Sequence, residues 1–286
     1  MFRVFNCLAN EHDWRLVVLA GVICLLASLV AISLFHRARA ASGRGRMIWL
    51  GLAGAAAGCG IWATHFIAML AYEPGFPVAY GIALSGLSLA LAIGMTFAGL
   101  VVATNVPARW AAPLGGAIFG VGVAGMHYTG MFALEVPGVL AWLGELVLLS
   151  IALGIVFGAL ALTLATRRDD LRGTLLASVL LTLAIVSHHF VAMGAAVMIP
   201  NAGWSEPTFA LDEPALAIAI AAIAVAVLSM SLIGAVADSF LAARAAVRSR
   251  PTAVDRSLRS KATAAERASR RRSQQHVAGP VHVRCR

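Results

Sequence analysis

Three histidines recur at an interval of 62 residues, His65, His127 and His189, and each is followed four positions later by a methionine: Met69, Met131 and Met193. Residues four apart share one face of a helix, so each copy offers an imidazole nitrogen and a thioether sulfur side by side. That is a soft donor pair. It suits copper and other transition metals, whereas magnesium and calcium want oxygen ligands. No thiolate cluster or paired carboxylates of the kind that hold hydrolytic zinc or a di-iron centre accompany it. His65, Met69, His127, Met131, His189 and Met193 are therefore the candidate metal ligands.

The three copies align without gaps over 60–71, 122–133 and 184–195, and only the His, the Met and the last Ala are identical in all three. An aromatic residue follows each His, and the slots of Gly60, Ala63 and Ala68 are always small. At about 100° per residue these slots fall roughly opposite the His and Met, leaving one side for close helix packing and the other for a site. A lone histidine in a membrane helix ordinarily hydrogen-bonds to a neighbouring helix. Three at one depth exceed what a scaffold needs, since Leu, Val or Ala would fill it with less desolvation. His188 points about 100° away from His189 and is read as a neighbour, not a ligand. Met126, Met198 and Trp62 are read as packing residues, and Glu145 as a boundary carboxylate.

Hydrophobic residues make up 60% of the chain and charged ones 12%, with a mean hydropathy of +0.86. This is the composition of a membrane protein. Apolar runs long enough for a crossing, about 20 residues, are read at 16–35, 47–70, 78–103, 111–134, 140–165, 173–199 and 214–237. The expected fold is all-α: seven transmembrane helices, made of an N-terminal helix and three parallel two-helix repeats of 62 residues, related by an axis along the membrane normal. The histidines of the second, fourth and sixth helices would then converge near the outer face. Lys and Arg lie in alternate loops, at Arg37, Arg39, Arg44 and Arg46, at Arg109, and at Arg167, Arg168 and Arg172. Loops 71–77, 135–139 and 200–213 hold none and carry Glu73, Glu135, Glu206, Asp212 and Glu213. Because cytoplasmic loops keep the basic residues, the N-terminus is expected outside and the C-terminus in the cytoplasm. The first span is not expected to be a cleaved signal peptide, since its positive charges follow the apolar run.

The net charge of +9 resides in the tail: from Asp238 onward there are 12 Lys or Arg against three acidic residues. Two domains are expected, a membrane domain over 1–240 and a basic cytoplasmic tail over 241–286, too poor in large apolar residues to build a core and read as disordered or as a surface helix. Its partner is expected to be anionic lipid, not nucleic acid. Cys7, Cys24, Cys59 and Cys285 have no metal-ligand spacing.

Met126-His127-Tyr128-Thr129 spells the name of the MHYT domain, and over about residues 10–240 the chain resembles that family of bacterial integral-membrane sensor modules. The other copies depart from the motif, with Thr64 and His188 in place of its Met and Phe66 and Phe190 in place of its Tyr. The resemblance implies a copper site, a role in sensing O2, CO, NO or redox state, and a place in the bacterial inner membrane. Relatives of this kind carry cytoplasmic output domains such as diguanylate cyclases, phosphodiesterases or kinases. With about 49 residues after the last span, output is expected to pass through a cytoplasmic partner.

No nucleophile and base pair, Gly-rich phosphate loop or nucleotide fingerprint is present, so the chain is not expected to be an enzyme. Two other readings stay open. Facing His residues, or a His and a Met, could be axial ligands of a haem in an electron-transfer protein. Parallel repeats also suit a metal transporter, although no broken helix or midplane charge accompanies them. The loop asymmetry makes a direct prediction: reporter fusions after Gly75, Gly138 and Gly203 should be active outside the cell, and fusions after Gly43, Ala108 and Asp170 in the cytoplasm. One inverted pair breaks the seven-span topology.

Overall fold

The computed structural model describes residues 4–5, 11–73, 75, 78–200, 210–248, 261, 263 and 265–267. Among them seven long helices dominate: α1 (Trp14–Ala40), α2 (Gly43–Leu70), α3 (Ile82–Asn105), α4 (Ala111–Phe132), α5 (Gly144–Arg167), α6 (Leu171–Ala195) and α7 (Glu213–Arg248). Asp13 caps α1 by accepting the Arg15 N–H at 2.8 Å, and Asp170 caps α6 by accepting that of Gly173 at 3.2 Å. Each satisfies a donor that the helix itself cannot. Ala41 and Ser42 alone link α1 to α2, and Gly43 enters α2 at φ 54°, a region glycine adopts without steric cost.

Five of these helices, α1, α2, α3, α5 and α6, are long and apolar enough to cross a membrane, against the seven crossings expected. In α4, six glycines and His127 dilute the hydropathy over its 22 residues. In α7 the apolar stretch among the described residues is the shorter Glu213–Val227. The spans carry their large apolar groups outward, with Leu148, Leu160 and Ile218 exposed, and turn Ala, Gly, Ser and Thr inward. Lipid replaces water as the outer solvent for such a surface, and small residues let the backbones approach. Inward hydroxyls bond back to their own helix, as Thr96 Oγ1 does to Ala92 O at 2.6 Å and Ser178 Oγ to Thr174 O at 2.8 Å.

Three of the expected span boundaries are corrected by short strands. Residues 78–81, 140–143 and 196–199 were included in spans, yet β1 (Ala79–Gly81), β3 (Gly138–Trp142) and β4 (Ala196–Pro200) occupy most of them, with β2 (Leu134–Glu135) and β5 (Ala210–Leu211) beside them. Their apolar side chains carry the hydropathy of a span while their backbones pair in ladders, and hydropathy alone cannot separate the two. β1 lies between β2 and β5, and β3 pairs with β4, all antiparallel.

These ladders make one strap three times. The end of α4 is tied to the start of α3 through β1–β2, with Gly81 N donating to Ala133 O at 2.7 Å. The end of α6 is tied to the start of α5 through β3–β4, with Leu143 N donating to Ala195 O at 2.9 Å. The end of α2 is tied to the segment before α1 by a His12–Tyr72 bridge and by Asp13 N donating to Ala71 O at 2.8 Å. Consecutive helices from α1 to α6 pack on one another, α1 closes the ring on α6, and α4 touches both α2 and α6 inside it.

By compactness the chain divides into Met1–Gly234 and Ala235–Arg286. α7 continues to Arg248, so residues 241–248 of the basic segment are helical. The rest of that basic segment, apart from five helical positions at 261, 263 and 265–267, lies outside the described residues, as do loop 201–209 with Glu206, and Cys7 and Cys285.

Glycines bring the backbones of α4 and α5 into direct contact. Gly116 and Gly120 face Gly158 and Gly154, and a Cβ on Gly120 would stand 2.5 Å from the Gly154 carbonyl carbon. Paired small-xxx-small patterns permit this backbone contact, and any side chain would force the helices apart. Gly120→Leu should therefore lower stability by roughly 1–3 kcal/mol or prevent folding. Gly21→Leu, where nothing lies within 4 Å of an added Cβ, should leave the midpoint of SDS-induced unfolding in micelles unchanged. Equal midpoints for the two variants would contradict the close contact.

Candidate metal centre

α2, α4 and α6 each bring one histidine to the interior of the ring. His65 Nδ1 stands 3.2 Å from His127 Nδ1 and 3.2 Å from His189 Nδ1, and ligand-capable atoms of all three lie within 4.8 Å of one another. The rings meet edge to face, with centroids 4.9 Å apart for His65–His127 and 5.2 Å for the other two pairs. All three side chains are buried.

Nitrogens facing nitrogens cannot all satisfy one another, because a ring N–H needs a lone pair opposite it and a neutral imidazole has only one of each. The Nε2 atoms of His65, His127 and His189 also have no hydrogen-bond partner. Buried polar atoms left this way are costly. A first-row metal bonded to three imidazoles at about 2.0 Å holds their nitrogens roughly 3.3–3.5 Å apart. The two pairs that share His65, at 3.2 Å, are within a few tenths of that, and with the ligand atoms of all three inside 4.8 Å of one another a small closing movement would let one metal ion take the three rings together.

A cavity of about 10 Å³ adjoins the cluster, lined by Thr64, Val123, Met126, Ile185, His188 and the three histidines. That is about the space one water or bare ion needs. Val123 and Ile185 lie four residues before His127 and His189, because Cβ atoms tilt toward the helix N-terminus and the imidazoles reach back over that turn. Met69, Met131 and Met193 are buried, but sit one turn C-terminal to the histidines and do not line the cavity. Met126 and His188, read from the sequence as packing and as a neighbour, do line it. The overlooked signal was the column before each His, Thr64, Met126 and His188, which holds a hydroxyl, a thioether and an imidazole in otherwise apolar helices.

The surrounding groups hold the cluster in place. Phe66 packs edge-on to His65 at 4.7 Å and against Trp62 at 4.6 Å, while Trp62 Nε1 donates to Ser85 O at 3.0 Å. Tyr128 packs edge-on to His127 at 5.1 Å and to His188 at 5.8 Å, and its hydroxyl meets Ser150 Oγ at 2.9 Å. Gly130 leaves the space that His65 uses, since a Cβ there would lie 2.6 Å from His65 Nε2. Glu145 is exposed in the first turn of α5, Met198 is paired opposite Leu140 in β4, and the free thiols of Cys24 and Cys59 do not line the cavity.

The MHYT family, described as a bacterial signalling protein N terminal repeat, matches residues 58–116 and 120–178, two segments that begin 62 residues apart. An uncharacterized signaling protein of Caulobacter vibrioides is 37% identical over 72% of this chain and 26% of its own length. The bifunctional diguanylate cyclase/cyclic di-GMP phosphodiesterase MucR of Pseudomonas aeruginosa is 34% identical over 84% of this chain and 36% of its own. The cyclic di-GMP phosphodiesterase NbdA of the same organism is 34% identical over 69% and 26%. The chain thus spans about a quarter to a third of the length of these relatives. No solved structure matches it.

Gly130→Ala should displace the His65 ring and lower copper retention after dialysis. Gly125→Ala, with nothing within 4 Å of an added Cβ, should retain copper like the parent. Equal retention by both variants would remove Gly130 from the support of the site.

Proposed function

This chain belongs to the MHYT family of bacterial signalling proteins, and from that premise we propose that it is a membrane sensor whose His65, His127 and His189 bind one copper ion. The observation that carries the reading is the convergence of three buried imidazoles whose ligand atoms lie within 4.8 Å of one another, with His65 Nδ1 3.2 Å from the Nδ1 atoms of both His127 and His189. Imidazole donors inside an apolar bundle favour copper over oxygen-seeking cations, and Met69, Met131 and Met193 supply a soft layer one turn away that tunes the ion more than it holds it. Copper would contribute reversible one-electron chemistry and affinity for O2, CO or NO. The protein's part is to hold three donors in a site closed to bulk water.

In this reading the helices form seven crossings of the bacterial inner membrane, the histidines lie near the outer face, and α1/α2, α3/α4 and α5/α6 are three parallel repeats. The C-terminal segment lies in the cytoplasm against anionic lipid. The relatives named for cyclic di-GMP turnover suggest an output through that second messenger, carried by a cytoplasmic partner or a linked domain.

A haem is disfavoured by the same geometry. Three rings converging on one point, beside a cavity of about 10 Å³, leave no plane for a macrocycle between two axial ligands.

Purified protein loaded with copper and dialysed should hold one equivalent. His65→Ala, His127→Ala and His189→Ala should each weaken retention about tenfold or more, as loss of a ligand does. Leucine at Met69, Met131 or Met193 should have a smaller effect, and His36→Ala should have none. Retention unchanged in all three histidine variants would sink the site, and flux of copper into liposomes would favour the transporter.

A further inference from the structure

Three nitrogen donors leave a first-row metal with an open coordination position, and the cavity adjoining the cluster has a wall of definite chemistry. Val123 and Ile185 close one side of it. The rest is the residue immediately before each histidine: Thr64, Met126 and His188. His188 differs from the other two. It is 0% exposed, its ring lies edge-on to His127 with centroids 5.2 Å apart, and only the Ser150 backbone comes near one of its nitrogens, without closing a hydrogen bond of good geometry. Tyr128, itself held by Ser150, packs on its ring. His188 also stands outside the cluster whose ligand atoms lie within 4.8 Å of one another, so it borders the site without completing it. A buried imidazole with at least one nitrogen unused is costly unless something else uses it.

We propose that this cavity is the pocket for one small exogenous ligand at the open side of the three-histidine set, and that His188 hydrogen-bonds to the ligand's free end. The proposal rests on the copper reading and assigns to His188 a role that the triad does not include. The ligand class follows from the wall. With space for about one heavy atom beside the metal position, the cavity admits nothing larger than a diatomic bound end-on. No Lys, Arg, Asp or Glu lines it, which selects a neutral or singly charged ligand. Two branched alkyl groups and a thioether favour a diatomic of low polarity with an acceptor atom at its far end. Thr64 and Met126 set the shape of the wall, and His188 discriminates by hydrogen bonding.

The probe is carbon monoxide, added to the reduced, copper-loaded, full-length protein in micelles, with metal content measured in parallel and the C–O stretch read by infrared absorption. His188→Leu should hold as much copper as the parent, bind CO about tenfold more weakly for the loss of one buried hydrogen bond, and raise the stretching frequency. His188→Gln, which keeps a donor, should recover most of both changes. Val123→Ile, which adds one methylene, should narrow the pocket and weaken CO binding while leaving copper bound. If His188→Leu loses copper as the triad variants do, His188 is a fourth ligand and the proposal fails. CO affinity and frequency unchanged in both His188→Leu and Val123→Ile would refute the pocket while leaving the copper reading intact, whereas a parent that retains no copper would overturn both. Should His188→Leu not fold, His188→Gln and Val123→Ile decide on the same readouts.

Discussion

The meeting of three imidazoles in a buried, largely apolar interior is the constraint around which the rest of the molecule is arranged. A buried ring nitrogen needs a partner, and here the nearest partners are other ring nitrogens of the same kind. An apolar scaffold would remove that conflict at once by replacing the histidines with Leu or Val. Keeping them commits the fold to holding α2, α4 and α6 at fixed distance and rotation, because a shift of even half an ångström breaks the shared approach of the Nδ1 atoms.

The helix packing supplies that control with small residues. Gly60 of α2 faces the Ala27 methyl of α1, and Gly122, the matching slot of α4, faces Met95 of α3. Thus the repeated small position serves the same purpose in two copies, packing the histidine helix onto the helix before it. The α4–α5 contact through Gly116, Gly120, Gly154 and Gly158 is tighter still, and it places Ser150 where Tyr128 can reach it. Tyr128 then leans on both His127 and His188. In that buried interior, each such contact fixes a ring that has little else to bond to.

Much of this was legible in the residues. The 62-residue interval, the apolar runs and the small slots identify the histidine-bearing helices and their packing faces, because a strict repeat and a 3.6-residue period are one-dimensional signals. The ends of the spans were not legible. Val139, Leu140 and Ala141 are as apolar as a helix in lipid and become a strand only because 196–200 comes alongside, a contact far away in sequence. The wall of the cavity was misjudged for a related reason. Helical projection puts Met126 and His188 about 100° from their neighbouring histidines, which excludes them from one helix's face. When three helices converge, however, the space between them is wide enough to admit the flanking position of each. The methionines four residues on satisfied the single-helix rule and yet do not line the cavity.

The three straps have a mechanical consequence. Each histidine-bearing helix is fastened at its C-terminal end, within a turn or two of its ring, to the start of the helix it packs on, whereas its opposite end joins that helix through a short linker without a ladder. The site therefore lies beside a fulcrum. The far ends of these helices, Gly43, Ala111 and Leu171, lie roughly 24–33 Å from the histidines at 1.5 Å per residue, so a tilt of about 2° at the ring swings the far end by roughly 1 Å. Events too small to disturb the ladders are thus delivered, enlarged, to the face of the bundle where Arg39, Arg46 and Arg168 stand.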